Sequence, residues 1–373
     1  MKVSYKQLKQ YVDINLCPDE VRNLLTMSGT EVESVQEPPN LDGLLVAEII
    51  EIKKHPNADK LSLCRVNTGK KEITVVCGAK NMKEKDKVIF ASAGMLLPNG
   101  VKLKKAKIRG IESEGMLCAE DELALGDDHV GIIILKPDAV PGKPVKDYLD
   151  LDVIFNFEIT PNRPDCLSIL GIAREIAAVT GQKLKRLKIS VSEIAKDASS
   201  AASVKIEDRE KCPFYTARII EGVRVKSSPL WLQDELKKTG IRPVNNIVDV
   251  TNYVLVNMGQ PLHAFDLNLL EGKQIVVRTA KKGEKIVSID GLERKLSGDM
   301  LVIADKQRPV AVAGVMGGKN TEIGEGTLNV LLESAYFNPG SIRRTSKKLN
   351  LSSESSHRFE RGADRAMVVK ALD

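Results

Sequence analysis

The sequence predicts a multidomain α+β protein: a small α/β domain in two separate pieces, a strand-rich domain inserted between them, and a larger α/β domain after a polar linker. Three observations predict it. The length of 373 residues suits two to three domains at about 150 residues each. Residues 1–39 and 150–190 are each too small to bury a core alone, and they flank a self-contained series of short strand-like runs over 40–149. From residue 211 onward strands and helices mix, as in an α/β domain of about 160 residues.

Residues 1–39 open with an amphipathic turn over 4–12. A helix follows: Pro18 suits its first turn, Val21, Leu24, Leu25 and Ser28 make one face, and Gly29 ends it. The later piece, within 155–182, combines a strand, a Pro-Asn-Arg-Pro loop and a helix. In that helix Ile169, Ile172, Ala173, Ile176 and Val179 recur at helical spacing, and Gly181 closes it.

The insertion carries the runs LLVAEIIEIKKH, LSLCRVNTG, KEITVVCGA and KVIFASAG, separated by turn signals. Ile73, Val75 and Cys77 fall on one face, and strands so spaced predict a small barrel. One side is basic, with Lys102, Lys104, Lys105, Lys107 and Arg109 joined by Lys53 and Lys54. Phe90 is the only aromatic residue in the strand runs, so stacking on bases can carry little affinity. A solvated lysine-rich strand is the plain alternative to a nucleic-acid surface.

Residues 183–210 are polar and Ser/Ala-rich, and 191–210 reads as a surface linker or a strand crossing to the next domain. In 211–373, PFYTARIIEGVRV is a strand run. PLWLQDELKKTG is a helix opened by Pro229 and closed by Gly240, with the sole tryptophan, Trp231. IVVRTA and KIVSIDG are strands, and MLVIADKQRPVAVAGVMG reads as two buried strands ending in a Gly-rich loop. The stretch RPVNNIVDVTNYVLVNMGQPLHAFD at 242–266 clusters Arg242, Asn245, Asn246, Asp249, Thr251, Asn252, Gln260 and His263, with Val248, Val250, Tyr253 and Val254 as its anchor in a core. A polar cluster carried on an apolar element is how a binding site is built. The alternative is a buried element whose asparagines only cap and turn.

Composition narrows the classes. Net charge is +6, from 56 basic and 50 acidic residues, which permits a nucleic-acid partner without requiring one. The start, MKVSYKQLKQYV, has no apolar run of a secretory signal, and no apolar stretch has membrane-spanning length. The six cysteines form no CxxC and sit beside no histidine at zinc spacing, so they read as small core residues in a reducing cytosol and no metal is expected. HExxH, GxSxG and a Walker loop are absent. AGVMGG is not GxGxxG.

RPVNNIVDVTNYV followed by GQPLHAFD resembles the editing domain of the bacterial phenylalanyl-tRNA synthetase beta-subunit family. AVAGVMGG at 311–318, LLESAYFNP at 331–339 and SSESSHRFERG at 352–362 fit the same family in the same order, and the resemblance runs over the whole chain. VAEIIEIKKHPNADKL, VVCGAKN and IRGIESEGMLCAEDELAL are similar to the tRNA-binding OB fold that the family places there. The resemblance implies a root domain over 1–39 and 150–190, an OB-fold tRNA-binding domain over 40–149, and an editing domain over 211–373. It implies hydrolysis of tyrosyl-tRNA(Phe), with aminoacylation on an alpha subunit in an alpha2beta2 heterotetramer, in the cytoplasm and away from membranes.

His263 matches the family's editing histidine. Thr251 and Arg242 match positions near the ester and adenosine ends, with Asn252 beside them, and Glu333 matches the position that reads the tyrosine hydroxyl. Gly314, Gly317 and Gly318 let backbone approach a ligand. Ser353 and Ser355 stand where the family often has threonine and alanine, which makes that wall more polar. No cofactor is expected in this chain, whereas ATP and Mg2+ are expected for the complete enzyme. FERGADRAMVVKALD stops in an apparent helix, so further domains are expected to follow. A non-catalytic tRNA-binding module and a scaffold that docks the alpha subunit are the alternatives.

Overall fold

The computed structural model describes residues 1–126, 128–185 and 189–373. It divides into two compact units: Met1–Gln36 with Ile154–Asp373, and Glu37–Val153.

In the first unit, β1 (Lys2–Ser4), α1 (Tyr5–Tyr11), α2 (Pro18–Met27) and β2 (Glu31–Gln36) open the chain. Ser4 caps α1 by accepting from the Gln7 amide, and Pro18 stands at the start of α2. The exposed Cys17 caps α2, so five of the six cysteines are buried and this one is not. A short helix needs its end amides satisfied, which a cap residue can do and a core position cannot.

The second unit holds β3 (Leu45–Lys54), β4 (Ser62–Asn67), β5 (Glu72–Cys77), β6 (Lys87–Ser92), β7 (Ala106–Ile108), β8 (Ile111–Ser113), β9 (Gly115–Leu117) and β10 (Ile134–Leu135). β10, β6, β3, β4 and β5 form one antiparallel sheet, with β9 also on β6. The sheet curls until β5 meets the β8–β9 corner, where the Glu114 amide donates to the Thr74 carbonyl at 3.2 Å. The result is a nearly closed barrel. Ile73, Val75 and Cys77 point into its core with Ile49, Val66 and Phe90.

The first unit resumes with β11 (Ile154–Glu158), which lies between β1 and β2 in a three-stranded sheet. Ile154 pairs with Gln36, so the chain leaves and re-enters this sheet at one rung. α3 (Ile169–Thr180) is capped by Ser168 and ends at Gly181 in the left-handed region. Its Ile169, Ile172, Ala173 and Ile176 are buried, while Val179 is exposed. Of the polar segment after it, residues 186–188 lie outside the described residues. The rest runs as loop into β12 (Ser203–Ile206).

Then come β13 (Phe214–Glu221), α4 (Leu230–Lys238), α5 (Asn246–Met258), β14 (Leu262–Asp266), β15 (Gln274–Thr279), β16 (Lys285–Val287), β17 (Glu293–Lys295), β18 (Leu301–Ala304), β19 (Pro309–Val312), β20 (Met316–Gly317) and β21 (Asn329–Tyr336). Three helices, α6 (Pro339–Leu349), α7 (Glu354–Phe359) and α8 (Met367–Leu372), close the chain. β12, β15, β18, β19 and β20 form a five-stranded sheet, parallel only at β12–β15. β21 pairs antiparallel with β13 on one side and β14 on the other. Alternation along β21 sends Leu331 and Ala335 into the main core, and Val330 and Leu332 into a second cluster with Ala264 and Leu372. Val250 of α5 is exposed rather than buried, because α5 turns Leu255 and Val256 inward instead.

Gly314 turns the chain between β19 and β20 with φ of +67°, and a Cβ there would lie 2.9 Å from both Ile342 Cδ1 and Phe337 Cδ2. Gly314→Ala therefore combines left-handed strain with overpacking and should destabilise the first unit by about 1–3 kcal/mol. Thermal unfolding of the variant beside the unsubstituted protein measures this, and an unchanged midpoint would show that the turn relaxes freely.

Candidate functional site

A cavity of about 390 Å³ lies at the β14 edge of the three-stranded sheet, walled by α5, by the chain around Gly314–Gly318 and by α7. The local reasons for its walls can be read one by one. Asn245 caps α5, its Oδ1 accepting from the Ile247 and Val248 amides. Asn246 binds the Arg224 carbonyl and the Lys226 amide. These two asparagines therefore do cap and turn. The buried Asp249 accepts from the Val244 amide at 2.7 Å and from the Ser228 hydroxyl at 2.5 Å, which pins the loop that brings Val244 to the cavity rim. One turn along, Thr251 and Asn252 line the cavity. The Thr251 hydroxyl donates to the Val248 carbonyl at 2.7 Å and keeps lone pairs for a ligand.

β14 and β21 supply the chemistry. His263 and Glu333 are register partners, so their side chains leave the sheet on the same face, about 5 Å apart at Cβ. His263 stands edge-on to Phe265, with ring centroids 4.5 Å apart. Among the described residues its nitrogens have no hydrogen-bond partner. The ring opens only into the cavity, and burial holds its pKa down at about 4. Glu333 is 5% exposed. Burial pushes its carboxyl up to about 8, against the opposing effect of the Tyr215 hydroxyl, which donates to Oε2 at 2.8 Å. At neutral pH both groups are therefore mainly uncharged, as expected of ionisable groups taken from water without an ionic partner.

The glycines have different tasks. A Cβ on Gly317 would fall 2.4 Å from Cε1 of His263, so the missing side chain is the space the imidazole occupies. A Cβ on Gly318 would strike the Val310 carbonyl at 2.6 Å, and Gly314 faces the aromatic core behind the cavity. All three line the cavity, but only Gly317 yields room beside the histidine. Ser353 caps α7 and donates to the Val315 carbonyl at 2.6 Å, which locks α7 onto the glycine turn. Ser355 lines the cavity with it. Arg358, buried behind α7, donates to the Leu167 carbonyl at 3.0 Å and fixes the helix from the other side.

Of the residues singled out in the sequence, Asn245, Thr251, Asn252, His263, Gly314, Gly317, Gly318, Glu333, Ser353 and Ser355 share this cavity. Arg242 does not. It is exposed and is not among the lining residues, because the Asp249 anchor turns the loop inward only from Val244. Val248, expected as a core anchor, lines the cavity as well, and Met316, Glu322 and Phe359 line it and were not foreseen. Neither was Tyr215, whose alternation on β13 was legible but whose register against Glu333 was not.

In the barrel unit, Lys53, Lys54, Lys102, Lys104, Lys105, Lys107 and Arg109 are all exposed. His55 Nε2 meets the Ile108 carbonyl at 3.1 Å and Asn57 donates to the Arg109 carbonyl at 3.0 Å. These bonds tie the end of β3 to the β7–β8 hairpin, bringing Lys53 and Lys54 towards Lys107 and Arg109. Lys53 pairs with Glu51 at 3.0 Å. Among the described residues no carboxylate pairs with Lys104, Lys105, Lys107 or Arg109. Phe90 is buried and offers no stacking face.

One trio of possible metal ligands occurs among the described residues, Asp165, Cys166 and Glu175. Arg163 fills it, reaching Asp165 and Glu175 at 2.8 Å each, so it is an ion-paired loop. No helix among the described residues is long and apolar enough to cross a membrane.

Two family models match the chain: the B3/4 domain over 211–373 and "Putative tRNA binding domain" over 44–144. The phenylalanine–tRNA ligase beta subunit of Geobacter metallireducens is 54% identical across 100% of this chain and 47% of its own length. That of Syntrophus aciditrophicus is 51% identical with the same coverage. The chain thus spans about half the length of the curated relatives it matches. A solved N-terminal fragment of the phenylalanyl-tRNA synthetase beta subunit from Pyrococcus horikoshii covers 90% of this chain and 67% of its own at 13% identity, with a TM-score of 0.34, a distant likeness.

Burying Glu333 has a measurable consequence. Its folded pKa of about 8 exceeds the ordinary 4.5, so between those pH values the unfolded chain releases a proton that the folded chain keeps. Stability falls as pH rises through that window. Glu333→Gln removes the effect. The variant should unfold a few degrees above the unsubstituted protein at pH 8, with the gain gone at pH 4. An equal difference at both pH values would place Glu333 in water.

Proposed function

Because the chain belongs, along its whole length, to the phenylalanine–tRNA ligase beta-subunit family, we propose that the cavity hydrolyses tyrosine wrongly esterified to tRNA(Phe). The observation that carries this reading is the juxtaposition of His263 and Glu333 as register partners facing one cavity. An apolar synthetic pocket discriminates poorly against an analogue that merely adds a hydroxyl, whereas a site with a hydrogen-bonding group for that hydroxyl selects it.

The reaction needs little from the protein beyond placement. Water attacks the ester carbonyl carbon and the bond to the ribose oxygen breaks. Tyrosine leaves as its carboxylic acid, and the ribose oxygen takes up a proton. His263 is uncharged across the physiological range, and among the described residues its nitrogens have no hydrogen-bond partner. It accepts a hydrogen bond from the water and orients it. With a pKa of about 4 it is too weak a base to remove the proton outright. Thr251 and Asn252 hold the ester end from α5, and Glu333 takes the ring hydroxyl at the other end.

In the complete enzyme we place aminoacylation, with its ATP and Mg2+, on the alpha subunit, within a cytoplasmic alpha2beta2 heterotetramer. The barrel, with its basic β3 end and hairpin, binds the tRNA backbone. With Phe90 of the strands buried, that contact is mainly electrostatic.

Single-turnover deacylation of tyrosyl- and phenylalanyl-tRNA(Phe) by enzyme containing both subunits separates the roles. His263→Ala should slow hydrolysis of both esters by about 100-fold, the scale of a misplaced reactant. Glu333→Ala should reduce the preference for the tyrosyl ester. A neutral hydrogen bond of about 0.5–1.5 kcal/mol makes that loss about 2- to 13-fold below pH 8, and a charge-assisted one of about 1.5–3 kcal/mol makes it about 10- to 150-fold above. If Glu333→Ala slows both esters equally, it does not read the hydroxyl. If no tyrosine is released by the unsubstituted enzyme, the chain is a binding module or a docking scaffold.

For the barrel, the triple substitution Lys104→Ala, Lys105→Ala, Lys107→Ala should weaken tRNA binding. It should also flatten the slope of log affinity against log salt by about 2–3, close to one unit per lost phosphate contact. A titration showing an unchanged slope would return these lysines to a solvated face.

A further inference from the structure

Tyr215 sits on β13, on the side of β21 opposite His263. It is 8% exposed and does not line the cavity. Its hydroxyl has one partner, Oε2 of Glu333, at 2.8 Å. Among the described residues the second carboxyl oxygen, Oε1, has no hydrogen-bond partner, and Glu333 itself lines the cavity. A glutamate has three side-chain torsions, and among the described residues no other hydrogen bond fixes its carboxyl.

We propose that Tyr215 is a specificity-positioning residue: its hydroxyl holds Oε2 from the neighbouring strand, on the same face of the sheet, and thereby presents Oε1 to the cavity as the acceptor for a substrate ring hydroxyl. This rests on the reading of Glu333 as the hydroxyl sensor and adds the group that aims it. The ring of Tyr215 is wedged into the main core with Phe265, Leu331 and Ala335, so its hydroxyl is a fixed donor. A donor fixed on the neighbouring strand leaves Glu333 one oxygen to offer, whereas a mobile carboxyl could turn both oxygens away from the ligand. The arrangement also explains an expensive feature. A phenol and a carboxyl are buried together, where an unsatisfied polar group is costly, and the hydrogen bond between them satisfies the hydroxyl and one carboxyl oxygen.

The titratable groups facing Glu333 are few. Tyr215 comes from β13, His263 from β14, and Cys212, whose thiol burial pushes up to about 12, from the residues before β13. The 311–318 wall and the cavity face of α5 carry none, and Glu322 stands at the rim. A pH dependence of ester preference can therefore be assigned to the Glu333 pair. The Tyr215 hydrogen bond lowers the Glu333 pKa against the effect of burial. Removing it should shift the dependence to higher pH.

The test is single-turnover deacylation of both esters, between pH 6.5 and 9, by the two-subunit enzyme carrying Tyr215→Phe, Glu333→Ala or both. Phenylalanine keeps the ring in the core and removes only the donor. We expect Tyr215→Phe to lower the tyrosyl-to-phenylalanyl rate ratio by about 3- to 10-fold, as for one lost hydrogen bond, and to move the midpoint of its pH dependence upward. The double variant should match Glu333→Ala alone. The inference is overturned if Tyr215→Phe keeps the unsubstituted ratio while Glu333→Ala loses it; the sensor reading then survives. It is also overturned if Tyr215→Phe slows both esters equally, or if its effect adds to that of Glu333→Ala, because either shows a role in the core alone. If Glu333→Ala retains the ratio, the sensor reading itself fails and this inference falls with it.

Discussion

The antiparallel pairing of β21 with a strand on each side is the constraint on which the site depends. One rung puts His263 beside Glu333, and the neighbouring strand puts Tyr215 behind the same carboxyl. Side chains alternate faces along a strand, so a slip of one residue would send Glu333 into the cluster that holds Val330 and Leu332 and would leave a leucine in the cavity. The buried alternation of β21 resists such a slip, because every inward position is filled by packing on both faces. The geometry of the cavity is therefore set by sheet register rather than by loops.

That rigidity is needed because the groups involved are unfavourable where they stand. A carboxyl held near pKa 8 and an imidazole held near 4 oppose folding in different pH ranges. Glu333 lowers stability as pH rises above its ordinary 4.5, and His263 lowers it as pH falls below its ordinary 6.5. Among the described residues neither has an ion-pair partner to relieve it. The compensation comes from the surrounding apolar core, from the edge-on packing of Phe337 against Phe359 and from the capped α7 locked onto the glycine turn. A site that must discriminate by one hydroxyl works best in such dry surroundings, where a hydrogen bond is not exchanged for one to water.

The barrel unit uses the opposite device. Its cations lie in water, where each one costs little and can release a counterion on meeting a phosphate. The backbone contacts of His55 and Asn57 to the β7–β8 hairpin are what gather charges that lie about fifty residues apart in sequence. One chain thus separates a solvated, salt-sensitive surface from a desolvated pocket.

Much of this could be read before any coordinates. The capped helices, the alternating strands and the Gly-rich turn follow from local chemistry: Ser4 and Ser168 cap where a helix must begin, and Ile73, Val75 and Cys77 alternate as a half-buried strand requires. Resemblance singled out nine residues that share the cavity, because a ligand that needs particular side chains leaves them in recognisable words of sequence. Other things were decided only in three dimensions. Arg242 lies outside because Asp249, five residues from Val244, chooses where the loop turns inward. Val250 is exposed because helix phase answers to the neighbour it packs on. Gly317 matters because of the imidazole opposite, and Tyr215 because β13 pairs with β21 at one particular register. The sequence by itself determined which residue types and which local elements exist. The tertiary structure decided which of them meet and which of them lose water, since pairing register and burial are properties of contacts between segments far apart in the chain.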